Sequence, residues 1–148
     1  LQATKHGEAS LLGAVDEITK GANRIIDLFA GCGTFTLPLA ERAEVYAVEG
    51  EADMIAALDR GWRGGHNLKR VTSEIRDLFR RPLEPDELRK FDAAVIDPPR
   101  AGAAAQIAEL ATAQLPVIAH VSCNPQTFAR DAATLIAALQ LSKPCSPT

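Results

Sequence analysis

The sequence predicts an α/β domain on a doubly wound, mostly parallel sheet, and three observations predict it. Short apolar runs alternate with alanine-rich helical patterns. Glycine or proline turns follow directly on two of the apolar runs, at residues 31–33 and 97–99. The chain has 148 residues, 47% of them hydrophobic and 24% charged, which is the size and balance of one ordinary globular domain with a real core.

Taken in order, residues 9–19 carry a helical pattern, and residues 24–29 (RIIDLF) form the first apolar strand. A helix over 35–42 leads to a second strand at 45–49 (VYAVE), a helix over 52–63 and a weaker third strand at 71–75. Residues 80–87 (RRPLEPDE) read as a surface loop. The fourth strand is 91–96 (FDAAVI), followed by a helix over 103–114. The fifth is 116–122 (PVIAHVS), followed by a helix over 126–139. Right-handed crossovers between such units place helices on both faces of the sheet. The domain is expected over 1–141, with 142–148 a disordered or cut tail because it holds two prolines and no periodicity.

Composition excludes several classes. No apolar run approaches the ~18 residues of a membrane span, and no secretory signal precedes the first helix. The three cysteines, at 32, 123 and 145, form no C-x-x-C pair. A disulfide framework and a metal site are therefore not expected, and a reducing cytoplasm fits best. A net charge of -3 confines any nucleic-acid contact to a local patch. The segment 60–70 (RGWRGGHNLKR) is basic and could meet phosphates, although a solvated helix end is the more common use of such a run. The chain opens at Leu1, as expected of a piece of a longer polypeptide.

In an open parallel sheet, ligands gather beyond the carboxyl ends of the strands. Three strand ends here bear unusual residues. After the first, Gly31 and Gly33 permit a tight turn and close approach of a ligand to backbone. Position 36 is Thr, so the dinucleotide fingerprint G-x-G-x-x-G is incomplete. Glu49 closes the second strand, where a carboxylate can take both hydroxyls of a ribose or, more simply, cap a helix. Adenosine and ribose without a pyrophosphate describe S-adenosylmethionine. Cys32 reads as a small filler of the glycine turn.

After the fourth strand, Pro98 and Pro99 stiffen the loop around Asp97. Asp97 is expected to be buried at its strand end, with the loop and Arg100 facing a substrate base. Methylases of exocyclic amines place an aromatic where Arg100 stands, which argues against that chemistry. After the fifth strand, Asn124 is a good N-cap and Pro125 suits the first helical position. Cys123 then lies at a helix N-terminus, where the dipole favours thiolate. Carbon 5 of uracil is a poor nucleophile until a thiolate adds to carbon 6, and a base must afterwards remove the carbon 5 proton. His120 reads as a partly buried core histidine.

The stretches DLFAGCGTF, AVEG, DPPRAG and VSCNP, followed by Arg130 and Asp131, resemble the RNA (uracil-5-)-methyltransferase family, which makes 5-methyluridine in tRNA or 23S rRNA. The resemblance runs from Gln2 to about Leu139. It implies a Rossmann-like sheet of the class I S-adenosylmethionine-dependent type and an RNA substrate. It implies Cys123 as nucleophile, with Gln2, Phe29, Thr34, Glu49 and Asp97 lining the methyl-donor pocket. Family members also place a glutamate base and two further strands near the C-terminus. After Cys123 the single acid is Asp131, eight residues on, which is expected to point away from the nucleophile. The isolated chain is thus expected to be a core short of the last strands. The alternative is a module that binds S-adenosylmethionine without full turnover.

Overall fold

The structure is a computed structural model and describes residues 5–122 and 125–142. Its elements, in order, are α1 (Lys5–Ile18), β1 (Arg24–Leu28), α2 (Thr36–Leu39), β2 (Glu44–Glu49) and α3 (Ala52–Gly64). Then come β3 (Val71–Ile75), α4 (Pro85–Leu88), β4 (Ala93–Ile96), α5 (Ala104–Ala113), β5 (Val117–His120) and α6 (Pro125–Ser142). The five strands form one sheet in the order β3-β2-β1-β4-β5, and every pairing is parallel. The winding reverses between β1 and β4, so the carboxyl ends of β1, β2 and β4 open onto one crevice.

Burial on both faces explains why the central strands are unbroken apolar runs rather than alternating ones. β4 is buried at all four positions and β1 at four of five. Ile25, Val45, Ala47, Ala93 and Val95 face one core with Phe35, Leu39 and Leu58. Ile26, Leu28, Val48, Ala94 and Ile96 face the other, with Leu88, Ile107 and Leu110. Small residues on β4 let α5 lie close to the sheet. α5 ends at Gln114 in the left-handed region (φ 56), whose N–H returns to the Leu110 carbonyl, an αL cap.

Four expectations need correction. The segment 80–87 is not all loop, because α4 starts at Pro85. Glu84 and Glu87 form a reciprocal capping box there, and proline takes an early helical position. The helix after the glycine turn is only Thr36–Leu39, since Pro38 lies inside it and removes a donor. The helical pattern of 9–19 extends back to Lys5, and Ser142 is the last residue of α6 rather than the first of a tail. Cys32 is exposed, not a filler.

The connection to α4 also rests on a buried amide. Gln106 on α5 is fully buried; its Oε1 accepts from the Leu83 N–H (2.8 Å) and its Nε2 donates to the Leu83 carbonyl (3.1 Å). A lone buried amide would be costly, and here the backbone of Leu83 satisfies both ends.

Candidate functional site

The turn leaving β1 departs from ordinary backbone at three residues. Phe29 (φ 60), Gly31 (φ 60) and Gly33 (φ 99) all have positive φ. For a bulky residue such as Phe29 this conformation is strained by about 1–3 kcal/mol and is held by its surroundings. The Ala30 N–H, donating to the Val48 carbonyl at 3.0 Å, is one such restraint. The two glycines have different reasons. A Cβ on Gly33 would press Leu37 and Leu58 at 3.2 Å, so that glycine serves packing. A Cβ on Gly31 would meet nothing within 4 Å, so beside it there is open space for something else.

Glu49, half-buried at the end of β2, binds this turn. Its Oε2 accepts from the Gly31 N–H at 2.8 Å. Its Oε1 accepts from the N–H groups of Gly50 (2.8 Å) and Glu51 (3.2 Å), at the start of α3. The simpler reading of Glu49 as a helix cap therefore holds in part, and the same carboxylate also ties β2 to the glycine turn.

Between the ends of β1, β2, β3 and β4 lies a cavity of about 600 Å³. Phe29, Glu49, Asp97, Pro98 and Pro99 line it, together with Gly50, Glu51 and residues 76–79. The sequence reading missed the β3 side. The signal was there, since residues 76–79 directly follow a strand on the same edge. Phe79 is 52% exposed, and its ring meets that of Phe29 at 5.3 Å between centroids, tilted by 56°. Asp77 Oδ1 caps the turn by accepting from the Phe79 N–H at 2.9 Å. Arg76 pins the loop: it donates to the carbonyls of Arg81 (2.7 Å) and Pro82 (2.9 Å) and to both oxygens of Glu87 (2.9 and 3.2 Å). That partnership holds the Glu87 carboxyl below its usual range. Tyr46 donates to Glu74 at 2.7 Å, and burial with that bond pushes its hydroxyl up to about 12.

The buried strand-end aspartate is not Asp97. It is Asp27, within β1 and fully buried. Thr36 Oγ1 donates to its Oδ2 at 2.6 Å, and among the described residues Oδ1 has no partner. Burial drives its pKa up to about 7; the Thr36 bond opposes this, and Asp97 and Glu49 add to it. Asp97 lies one residue beyond β4 and is exposed overall. Desolvation of its carboxyl still raises its pKa, with His120 pulling the other way. Sequence reasoning placed the buried acid wrongly because residue type alone does not separate a strand's last residue from its third.

Of the remaining expected site residues, Thr34 and Arg100 are exposed and do not line the cavity, nor do Gly31 and Gly33. Pro125 opens α6 as expected. Gln2, Cys123 and Asn124 lie outside the described residues. Asp131 reverses its expectation. It is buried, and its Oδ2 lies 3.0 Å from Nε2 of His120, the last residue of β5. Among the described residues no three His, Cys, Asp or Glu side chains cluster as a metal site, and no helix is long and apolar enough to cross a membrane.

A five-stranded parallel sheet in this order, with an acid closing β2 beside a glycine turn, defines the class I methyltransferase fold. A magnesium protoporphyrin IX methyltransferase from Synechocystis shares it at TM-score 0.62 and 16% identity, over 88% of this chain and 67% of that one. The particular family follows from closer matches. The tRNA (Uracil-5-)-methyltransferase profile matches residues 65–145. An uncharacterised RNA methyltransferase of Mesorhizobium japonicum is 54% identical over 92% of this chain and 33% of its own length. A 23S rRNA (uracil(1939)-C(5))-methyltransferase of Cronobacter sakazakii is 43% identical over 82% of this chain and 28% of its own. The tRNA (uracil-54, C5)-methyltransferase of Pyrococcus abyssi, solved with S-adenosyl-L-homocysteine, superposes at TM-score 0.78 and 30% identity, over 91% of this chain and 33% of that one. The chain belongs to the tRNA (uracil-5-)-methyltransferase family, and it spans about a third of the length of the curated relatives it matches.

Proposed function

We propose that this chain is the methyl-donor-binding and nucleophile-bearing part of an enzyme that methylates carbon 5 of a uridine in tRNA or rRNA. The cavity at the carboxyl edge carries the reading. It joins an aromatic wall, Phe29 with Phe79, to two acids, Glu49 and Asp97. An adenosine bearing a cationic side chain suits that combination, because the rings offer apolar faces and the acids attract positive charge. Open space beside Gly31 leaves room for a ligand against backbone.

When bound, S-adenosylmethionine supplies an electrophilic methyl group. The residues of the chain do the rest. Glu49 accepts from the ribose hydroxyls while its backbone amide donors keep the carboxylate in place. Phe29, Leu78 and Phe79 flank the base and exclude water. Pro98 and Pro99 stiffen the loop that presents Asp97 and Arg100 to the RNA. Cys123, as thiolate, forms a bond to carbon 6 of uracil, which makes carbon 5 electron-rich. A base then removes the carbon 5 proton, and elimination breaks the sulfur–carbon 6 bond.

Calorimetry with S-adenosylhomocysteine tests the pocket. Saturable binding that Glu49→Ala weakens is expected, and binding of NAD with no response to S-adenosylhomocysteine would overturn the reading. Incubation with methyl-labelled cofactor and unmodified tRNA or rRNA tests the nucleophile. Label joined to RNA that Cys123→Ser abolishes is expected. Label transfer undiminished in Cys123→Ser would remove the thiol from the mechanism.

A further inference from the structure

The pair of His120 and Asp131 is not accounted for by the cavity. Their side chains are 8% and 2% exposed, and they meet at 3.0 Å from the last residue of β5 to the second turn of α6. Asp131 is fully engaged: its Oδ1 also accepts from Nε and Nη2 of Arg130, both at 3.3 Å. The imidazole is gripped on its edge as well, by a T-shaped contact with the Phe128 ring at 5.2 Å. Yet its Nδ1 is buried with no partner among the described residues. A buried polar nitrogen left unpaired costs about 1–3 kcal/mol, and a fold that keeps one has a use for it or supplies its partner from elsewhere.

The pair closes a loop of chain, and that loop holds Cys123. Val121 is anchored on one side, donating its N–H to the Ile96 carbonyl at 2.8 Å. In register, His120 lies opposite Ile96, the residue before Asp97. Asp97, Asp131 and Arg130 are the charged groups around the imidazole, from β4's exit and from α6. A strand end and a helix turn joined by a buried ion-pair geometry lose much of their relative freedom. The short stretch between them is thereby restricted at little further entropic cost.

We propose that His120 and Asp131 are positioning residues for Cys123, stapling the end of β5 to α6 so that the thiol-bearing turn is held at the carboxyl edge of the sheet. The inference rests on the assignment of Cys123 as nucleophile. It requires that Asp131 accept from an Nε2–H, which leaves Nδ1 as the lone-pair nitrogen of a neutral ring.

The test is the alkylation rate of Cys123 by iodoacetamide across pH, read by peptide mass, with Cys32 in the same chain as internal reference. Asp131→Leu and His120→Leu are expected to change the Cys123 rate and its pH profile by about tenfold while the Cys32 rate stays constant. His120→Gln, whose amide replaces the Nε2 donor, is expected to restore the wild-type profile. An unchanged Cys123 profile in a folded Asp131→Leu chain would overturn the proposal. A wild-type Cys123 no more reactive than Cys32 would instead overturn the nucleophile assignment on which it rests. The wild-type chain gives a second measurement that needs no variant. Long-range ¹H–¹⁵N spectra are expected to show His120 as the Nε2–H tautomer, and an Nδ1–H tautomer would overturn the proposal.

Discussion

The ends of β1 and β2 each bring a carboxylate toward the same cavity, and the two are held in opposite ways. Glu49 stands at the cavity wall with three backbone N–H groups around it. Asp27 sits one layer behind, fully buried, with a single hydroxyl donor and one bare oxygen. Solvation by fixed amides lets an acid face a ligand as a negative group. Burial with one donor makes the charged form expensive, so Asp27 is near half-protonated at neutral pH. The difference is one of donors, not of residue type.

The largest effect expected from breaking this contrast is on the pH dependence of stability. The Asp27 pKa is raised on folding, so its favourable contribution is complete below the unfolded value near 3.8 and is lost as pH rises through about 7. A shift of that size corresponds to a slope totalling on the order of 4 kcal/mol. Asp27→Asn is expected to remove the slope and to add a constant penalty for its amide. Urea titrations of both proteins at several pH values measure it. A gap between them that does not change with pH would refute the assignment.

Next in size is Arg76, whose side chain is 14% exposed and which joins the β3 loop to α4. Arg76→Ala removes charge-assisted bonds and strands two carbonyls, an expected loss of ~2–3 kcal/mol. Thermal unfolding reads the loss. The affinity for S-adenosylhomocysteine should fall too, because residues 77–79 form one wall of the cavity.

Glu49 sharpens the comparison on the binding side. Glu49→Ala is expected to weaken S-adenosylhomocysteine by ~1.5–3 kcal/mol, with Glu49→Gln intermediate because it keeps one acceptor oxygen. Equal affinity in all three chains, measured by calorimetry, would place the ribose elsewhere. The smallest effect is expected at Arg63, whose pairing with Asp59 at 3.0 Å is solvent-facing. Arg63→Ala should shift unfolding by no more than ~0.5 kcal/mol.

Much of the fold was legible because it rests on local rules. Apolar runs such as 24–28 and 93–96 can only be buried strands when turns bound them so closely. Helix α3 shows its amphipathic period, with Leu58 inward and Arg60 and Arg63 outward. The candidate site was legible where strand ends bear glycine, proline or acid, as at Gly31, Glu49 and Asp97. α4 was missed because four residues hold no period; its reciprocal cap is visible only once Glu84 and Glu87 are seen facing each other.

By itself, then, the sequence determined the alternation of strand and helix, the parallel sheet, the edge where ligands gather and the residues that stand there. Local propensity and spacing are enough for that, since each depends on neighbours a few positions away. Only the tertiary structure decided which acid is buried, that Phe79 reaches Phe29, and that Asp131 turns inward to His120. Those facts depend on which elements are adjacent in space: β1 between β2 and β4, the β3 exit across from the β1 exit, and α6 folded back over β5. Desolvation and pairing are set by such neighbours, so no pattern along the chain could have assigned them.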